Sequence, residues 1–173
     1  FIENGRVRTF DICIANPPYS MKKWDRESWK NDPWGRNIYG TPPQGTADYA
    51  FFQHIICSLK EGTGRCAILW PHGILFRDSE QEIRTKLIED DLIDAVVGLG
   101  PQLFYNSPME SCIVVCRKKK PPEKKKKILF INGVDEVIYQ NAMAFLSNDN
   151  IKNLFNLYCE YKDAQGKARV VSL

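Results

Sequence analysis

The tetrapeptide Asn16-Pro17-Pro18-Tyr19 carries the residue types in this sequence that are best suited to chemistry. The two prolines stiffen the turn, so the Asn16 amide oxygen and the Pro17 carbonyl become two acceptors that point at one spot. Two such acceptors suit an exocyclic amino group, because they bind its N–H groups and leave its lone pair free to attack an electrophilic methyl group. Tyr19 offers a face on which an extruded base can stack, worth about 1–3 kcal/mol. A strand-end turn with a capping Asn is the alternative.

The elements that must position this turn follow an α/β pattern. An apolar run at 10–15 stops abruptly at the prolines, as a buried parallel strand does, and ligands bind at the carboxyl ends of such strands. Further strands are predicted at 65–70, 92–99 and 111–116, and the intervening helices at 48–60 and from a capping box at 79–82. Only residues 100–110 separate the last two strands, which is too short for a parallel crossover. The fourth strand is therefore predicted to be antiparallel.

The C-terminal third is separated from this pattern by a basic run at 117–127, with eight basic residues and one acid. The run fits a phosphate contact or a solvated hairpin tip equally well. Beyond it, 128–132 is predicted to be an edge strand, and Ser147 to cap a final helix. The expected organisation is 1–117 as the main α/β unit, 118–127 as a basic turn, and 128–173 as an edge strand with a helical extension.

Composition narrows the class of protein. Hydrophobic residues make up 43% and charged residues 26% of 173 residues, as in soluble globular proteins. No apolar run approaches the roughly 20 residues that span a bilayer. Six cysteines without a CxxC pair and only two histidines predict free thiols, no metal site and a cytoplasmic location. The chain does not begin with Met, so we expect a part of a longer protein.

A loop at 20–44 interleaves aromatic and basic side chains, the combination that contacts with bases and phosphates need. The candidate DNA contacts in it are Trp24, Trp34, Arg36 and Tyr39. The alternative is a loop folded on its own aromatic residues. Phe104 and Tyr105 either wall a base pocket or simply pack, and His72, after the 65–70 strand, is predicted to be structural.

Several segments in matching order resemble the modification subunit of type I restriction–modification systems, a family of DNA adenine-N6 methyltransferases. The resemblance covers about residues 10–130 and rests on the NPPY tetrapeptide, the Trp-rich loop, the GILF segment at 73–76 and the LFYN segment at 103–106. The family more often has Phe at the position of Tyr19, and Tyr preserves the stacking face.

This resemblance implies the C-terminal half of a class I (Rossmann-like) methyltransferase sheet, with parallel strands plus one antiparallel strand and helices on both faces. It also implies S-adenosyl-L-methionine as donor, and DNA, a specificity subunit and a restriction subunit as partners. On this interpretation Asn16, Pro17 and Pro18 form the catalytic turn that holds a flipped adenine, and Tyr19 stacks on the base.

Two other functions stay open at this point. A non-catalytic DNA-binding or assembly module could retain the same fold. Protein-glutamine N5 methyltransferases also carry NPPY, although they lack the Trp-rich loop and the GILF and LFYN segments. Cytosine-N4 methyltransferases are disfavoured because they typically have Ser in place of Asn16.

The resemblance yields a first prediction about donor binding. The family's glycine-rich donor motif lies upstream of the catalytic motif, and the residues before Phe10 hold a single glycine, Gly5. We therefore expect this 173-residue chain alone to bind S-adenosylmethionine weakly and to methylate nothing. Isothermal titration calorimetry tests this expectation, and micromolar binding by the isolated chain would contradict it.

Overall fold

The computed structural model describes residues 1–104, 109–140 and 143–173. The strands within these ranges are β1 Ile2–Glu3, β2 Arg6–Val7, β3 Ile12–Ala15, β4 Arg65–Pro71, β5 Ile93–Leu99, β6 Ser111–Arg117, β7 Lys127–Gly133, β8 Ile138–Gln140, β9 Met143–Phe145 and β10 Ala168–Ser172. The α-helices are α1 Arg26–Lys30, α2 Asp48–Cys57, α3 Gln81–Glu89 and α4 Asn148–Glu160. The pairs β1–β2 and β8–β9 are small antiparallel ribbons outside the main sheet.

The main sheet has six strands in the order β10-β7-β5-β6-β4-β3. Strands β3, β4, β5 and β7 point the same way, whereas β6 and β10 run in the opposite direction. Helices α2 and α3 cover one face through residues such as Phe52 and Leu87, and α4 covers the other through Leu154. The predicted mixed α/β sheet with a reversed β6 and helices on both faces is confirmed.

Two strand predictions require correction. The segment predicted as the edge strand, β7, has neighbours on both sides, because β10 pairs antiparallel with it and takes the edge. The five residues of β10 are too few to show a clear period, and their pairing depends on a partner far away in the chain. Conversely, within the described residues β3 pairs with β4 alone, so the strand predicted to be buried leaves Ile14 85% exposed.

The predicted start of α3 is also wrong. A 3-10 turn at Asp78–Glu80 precedes the helix, which begins at Gln81 without a side-chain cap. Ser79 and Glu82 therefore do not form the predicted capping box, and the Glu82 carboxylate instead accepts a hydrogen bond from Lys86 at 2.8 Å. The other predicted cap is confirmed, because Ser147 and Asn150 form a reciprocal capping box at the start of α4.

Helix α4 is fixed to the sheet by close packing and by a buried carboxylate. A Cβ atom on Gly133 would lie 2.6 Å from the Gly98 carbonyl oxygen of β5 and 2.8 Å from the Leu154 side chain, so glycine is needed where β7 packs against β5 and α4. The buried Asp94 of β5 accepts hydrogen bonds at Oδ2 from Arg117 Nε, at 2.9 Å, and from the Tyr158 hydroxyl, at 2.6 Å. These bonds join β5, β6 and α4 at one point.

The basic run folds back onto the body of the chain. Lys120 is buried, and its ammonium group donates to Asp91 Oδ1 and to the Lys127 carbonyl, both at 2.7 Å. Lys124 lies over the Tyr161 ring, 4.0 Å from its centroid. Much of the positive charge of the run is therefore used within the chain, where it ties the β6–β7 connection to the residues before β5.

No helix within the described ranges is long and apolar enough to cross a membrane. Of the six cysteines, Cys66, Cys112 and Cys116 are buried in the sheet. Burial raises the pKa of the Cys112 thiol to about 12, which keeps it protonated and unreactive near neutral pH.

The buried Lys120–Asp91 pair leads to a stability prediction. Substitution Lys120→Met keeps the apolar stem but leaves Asp91 without its cation, and removing one partner of a buried pair costs about 3–5 kcal/mol. Because Asp91 also accepts from the Lys126 backbone N–H, we expect a loss of about 2 kcal/mol in the free energy of unfolding. Urea denaturation measures it. The exposed Lys119→Met is the matched control, and equal effects of the two substitutions would contradict the assignment.

Candidate active site

The turn at residues 16–19, called the NPPY turn below, leaves the carboxyl end of β3. Strand β4 runs parallel beside it, with Ala15 opposite Ile68, and ends at Pro71. A 3-10 turn at His72–Leu75 then follows β4 at the same edge of the sheet. The predicted position of the turn at the carboxyl ends of parallel strands therefore agrees with the structure.

The side chains of the NPPY turn contact each other and the core. The Tyr19 hydroxyl donates a hydrogen bond to Asn16 Oδ1. The half-buried Tyr19 ring lies 6.4 Å from the ring of Trp70, which is fully buried. Burial raises the pKa of the Tyr19 hydroxyl, so it is protonated near neutral pH and acts as a donor. An amide oxygen has two lone pairs, so the exposed Asn16 can still accept a second hydrogen bond.

An apolar groove of about 800 Å³ lies beside the NPPY turn. Its lining includes Ile12, Ile14, Pro17, Phe51 and Ile55, so the groove runs between β3 and α2. Among the described residues, those that line the groove include no carboxylate.

The loop at 20–44 is folded on its own side chains. The Arg36 guanidinium forms an ion pair with Asp32, with Nε 2.9 Å from Oδ1. The same guanidinium lies over two indole rings, 5.1 Å from the centroid of the buried Trp29 and 4.7 Å from that of Trp34. Cation–π contacts and the ion pair thus use the charge of Arg36 inside the loop.

The four aromatic and basic residues predicted to contact DNA are placed differently. Trp24 lines the groove beside the NPPY turn and donates from Nε1 to the Gln44 carbonyl at 3.0 Å. Trp34 is 42% exposed, and Arg36 is engaged as described. Tyr39 is buried in the core, and its hydroxyl donates to Asp90 Oδ2 at 2.7 Å. This placement argues against a DNA contact by Tyr39.

The remaining predicted residues are Phe104, Tyr105 and His72. Phe104 is half-buried in the connection between β5 and β6, and no ring contact or hydrogen bond in the described part of the chain links it to the NPPY turn. Tyr105 lies outside the described residues. His72 Nδ1 lies 3.2 Å from Glu110 Oε2. This contact joins the end of β4 to the start of β6, which fits a structural role for His72. Within the described ranges, no group of three His, Cys, Asp or Glu side chains could hold a metal ion.

Comparison with known proteins places the chain in a family. The family model described as N-6 DNA Methylase matches residues 3–173. The chain belongs to the N-6 DNA methylase family. It is 37% identical over 169 residues to the type I restriction enzyme MjaVIII methylase subunit of Methanocaldococcus jannaschii, covering 94% of this chain and 29% of that protein. It is 39% identical over 108 residues to the HindI methylase subunit of Haemophilus influenzae, covering 61% of this chain and 24% of that protein.

Among solved structures of the family, the type I restriction–modification methyltransferase subunit from Streptococcus thermophilus superposes with a TM-score of 0.86 at 30% identity. The superposition covers 95% of this chain and 35% of that one. The chain thus spans about a third of the related subunits or less.

Three charged side chains beneath the NPPY turn were not identified as site residues from the sequence. Asp48, Arg77 and Glu80 form a buried cluster, in which Arg77 Nη1 donates to Asp48 Oδ2 at 2.6 Å and to Glu80 Oε2 at 3.3 Å. The burial of Asp48 could have been predicted from the sequence, because Asp48 precedes Phe52 by one helical turn and so lies on the apolar face of α2. A carboxylate on a buried face needs a charged partner.

The loop packing leads to a prediction for this N-6 DNA methylase chain. Substitution Arg36→Met removes both the ion pair with Asp32 and the cation–π contacts. We expect the free energy that favours the folded loop to fall by about 1 kcal/mol, which raises the population of the open loop about fivefold. Chymotrypsin cleavage within the loop is expected to accelerate by this factor under conditions where cleavage follows opening. Lys23→Met, an exposed change in the same loop, is the control, and the same cleavage rate in Arg36→Met as in wild type would refute the prediction.

Proposed function

We propose that this chain is part of a DNA adenine-N6 methyltransferase, the modification subunit of a type I restriction–modification system, with S-adenosyl-L-methionine as donor. The single observation that carries the proposal is the NPPY turn, which lies at the carboxyl end of a parallel strand in a member of the N-6 DNA methylase family. The methylase subunits named above support the type I assignment.

The proposed chemistry assigns one task to each residue of the NPPY turn. The Asn16 amide oxygen and the Pro17 carbonyl accept the two N–H groups of a flipped adenine. With both N–H groups held, the nitrogen lone pair is drawn out of conjugation and can form the new bond to carbon. Pro18 keeps the two acceptors in fixed directions, and the Tyr19 ring provides the stacking face. The nitrogen needs no strong base, because it becomes acidic as it is alkylated.

The donor and the partners are assigned to the whole protein. When bound, S-adenosylmethionine would supply an electrophilic methyl group, with its sulfur taking the electron pair of the S–C bond that breaks and S-adenosylhomocysteine as the leaving group. We propose that the donor-binding residues belong to the part of the related subunits that this chain does not span, in keeping with the absence of carboxylates among the described residues that line the groove. DNA, a specificity subunit and a restriction subunit are the proposed partners. Trp24 and Trp34 are the proposed DNA contacts of the loop, with Phe104 and Tyr105 beside the base.

The test is methyl transfer by the full-length protein assembled with its specificity subunit. Labelled S-adenosylmethionine and unmethylated DNA are incubated with wild type or Asn16→Ala. We expect label at adenine N6 with wild type, and a loss of about 100-fold or more with Asn16→Ala, because an acceptor that acts on developing charge contributes at least that factor. Chromatography of the digested DNA identifies the methylated base.

Tyr19→Phe is the matched control in the same turn. It removes the hydroxyl that bonds to Asn16 Oδ1 but keeps the ring and both acceptors, so activity is expected to stay near wild type. Label on protein instead of DNA would favour a glutamine N5 methyltransferase. A wild-type complex that binds DNA but transfers no methyl group would favour the non-catalytic assembly module.

A further inference from the structure

The buried cluster of Asp48, Arg77 and Glu80 places two carboxylates and one guanidinium beneath the NPPY turn. Both carboxylates are fully buried, and the Arg77 side chain is 23% exposed. Burial raises the pKa of Glu80, although the hydrogen bonds that it receives from Thr46 and Arg77 lower this pKa in part. Charges are costly to bury unless each is paired, so this arrangement needs a reason beyond filling space.

The cluster contacts the chain at Ser20, the residue that follows the NPPY turn. The Ser20 backbone N–H donates to Asp48 Oδ1 at 2.7 Å, and Arg77 Nη2 donates to the Ser20 hydroxyl at 3.2 Å. Ser20 has φ +51°, in the left-handed region that side chains other than glycine rarely adopt. Such a conformation persists where surrounding contacts hold it. Here the contacts holding it come from Asp48 and Arg77.

Arg77 is in turn held from several sides. Asp48 and Glu80 accept from its Nη1, and the Thr46 hydroxyl fixes Glu80 by donating to Oε1 at 2.6 Å. The guanidinium lies against Gly73, where a Cβ atom would be 2.8 Å from Nε. Since Gly73 follows β4, Asp48 begins α2 and Glu80 ends the 3-10 turn before α3, the cluster links three elements to the end of the NPPY turn.

We propose that Asp48 and Arg77 are positioning residues for adenine methylation. They hold the NPPY turn in place through Ser20, and neither contacts the base. The proposal rests on the proposed function, because its consequence for rate requires that Asn16 bind the reacting amino group. A misplacement of about 1 Å in such a group can cost about 100-fold in rate.

The principal variant is Asp48→Asn in the full-length complex with its specificity subunit. The carboxylate accepts from Ser20 on one oxygen and from Arg77 on the other, whereas the amide has a single acceptor oxygen, so one of the two bonds is lost and the link between Ser20 and Arg77 is weakened. We expect the single-turnover methylation rate to fall about tenfold or more, with DNA and donor affinity within about twofold of wild type. Asp78→Asn removes the same charge from an exposed residue next to Arg77 and is expected to match wild type.

A second variant covers the case in which Asp48→Asn does not fold. Ser20→Ala removes only the hydroxyl that accepts from Arg77 and leaves the buried cluster intact. We expect a slower single-turnover rate at an unchanged midpoint of thermal unfolding. A residue that merely stabilised the fold would change the midpoint and leave the rate per folded protein as it was. A wild-type rate in Ser20→Ala overturns the proposal.

Crystal structures of wild type and Asp48→Asn provide a measurement that does not depend on activity. The expected result is a displaced NPPY turn with the rest of the sheet superposing. If the wild-type complex transfers no methyl group to DNA, the proposed function fails, and the crystal comparison still decides whether Asp48 holds the turn. A turn that stays in place in Asp48→Asn, or a wild-type rate in that variant, overturns the positioning role.

Discussion

The rest of the sheet depends on the backbone pairing of strand β6 with its two neighbours. Its backbone pairs antiparallel with β4 on one side and with β5 on the other, so it joins two groups of strands that would otherwise be separate. Its side chains alternate between the two cores, with Val114 facing α2 and α3 and Val115 facing α4. Because β6 is reversed, β4 and β5 point the same way. Their carboxyl ends therefore lie at the same end of the sheet as the NPPY turn.

Buried charges occur at the junctions between elements of this sheet. Asp94 joins β5 to β6 and α4, Lys120 ties the basic run to Asp91, and Asp48 joins α2 to the segment after β4 through Arg77. Each pair carries a desolvation cost that only good hydrogen-bond geometry offsets. An alternative packing would leave a charge buried without its partner, so these contacts restrict how the apolar surfaces can dock.

This chain contains the residues proposed to hold the acceptor base, but not those proposed to bind the methyl donor. The groups that would hold the acceptor base, Asn16, Pro17 and Tyr19, lie together at one strand end, supported from below by Trp70. The groove beside them is apolar and is bordered by β3, the last strand of the main sheet within the described residues. Methylase subunits related to this chain are roughly three times as long. The donor side of the reaction is accordingly proposed for sequence that this chain does not contain.

Local patterns were sufficient to predict much of this protein. The mixed α/β class, the reversed β6, the Ser147 cap and the position of the NPPY turn follow from apolar periodicity, proline at a strand end and the length of one connection. These features depend on near neighbours along the chain, which is why residue patterns determine them. The order of the segments also identified the family.

Only the tertiary structure decided which distant groups meet. Tyr39 was predicted to contact DNA, yet its hydroxyl bonds to Asp90, 51 residues away. Glu80 was not identified as a site residue from the sequence and yet pairs with Arg77, and β10 pairs with β7 although its own five residues show no clear period. The choice among several possible partners for a charge or a strand edge is made by the packed chain, because desolvation penalises arrangements that leave a buried charge without a partner.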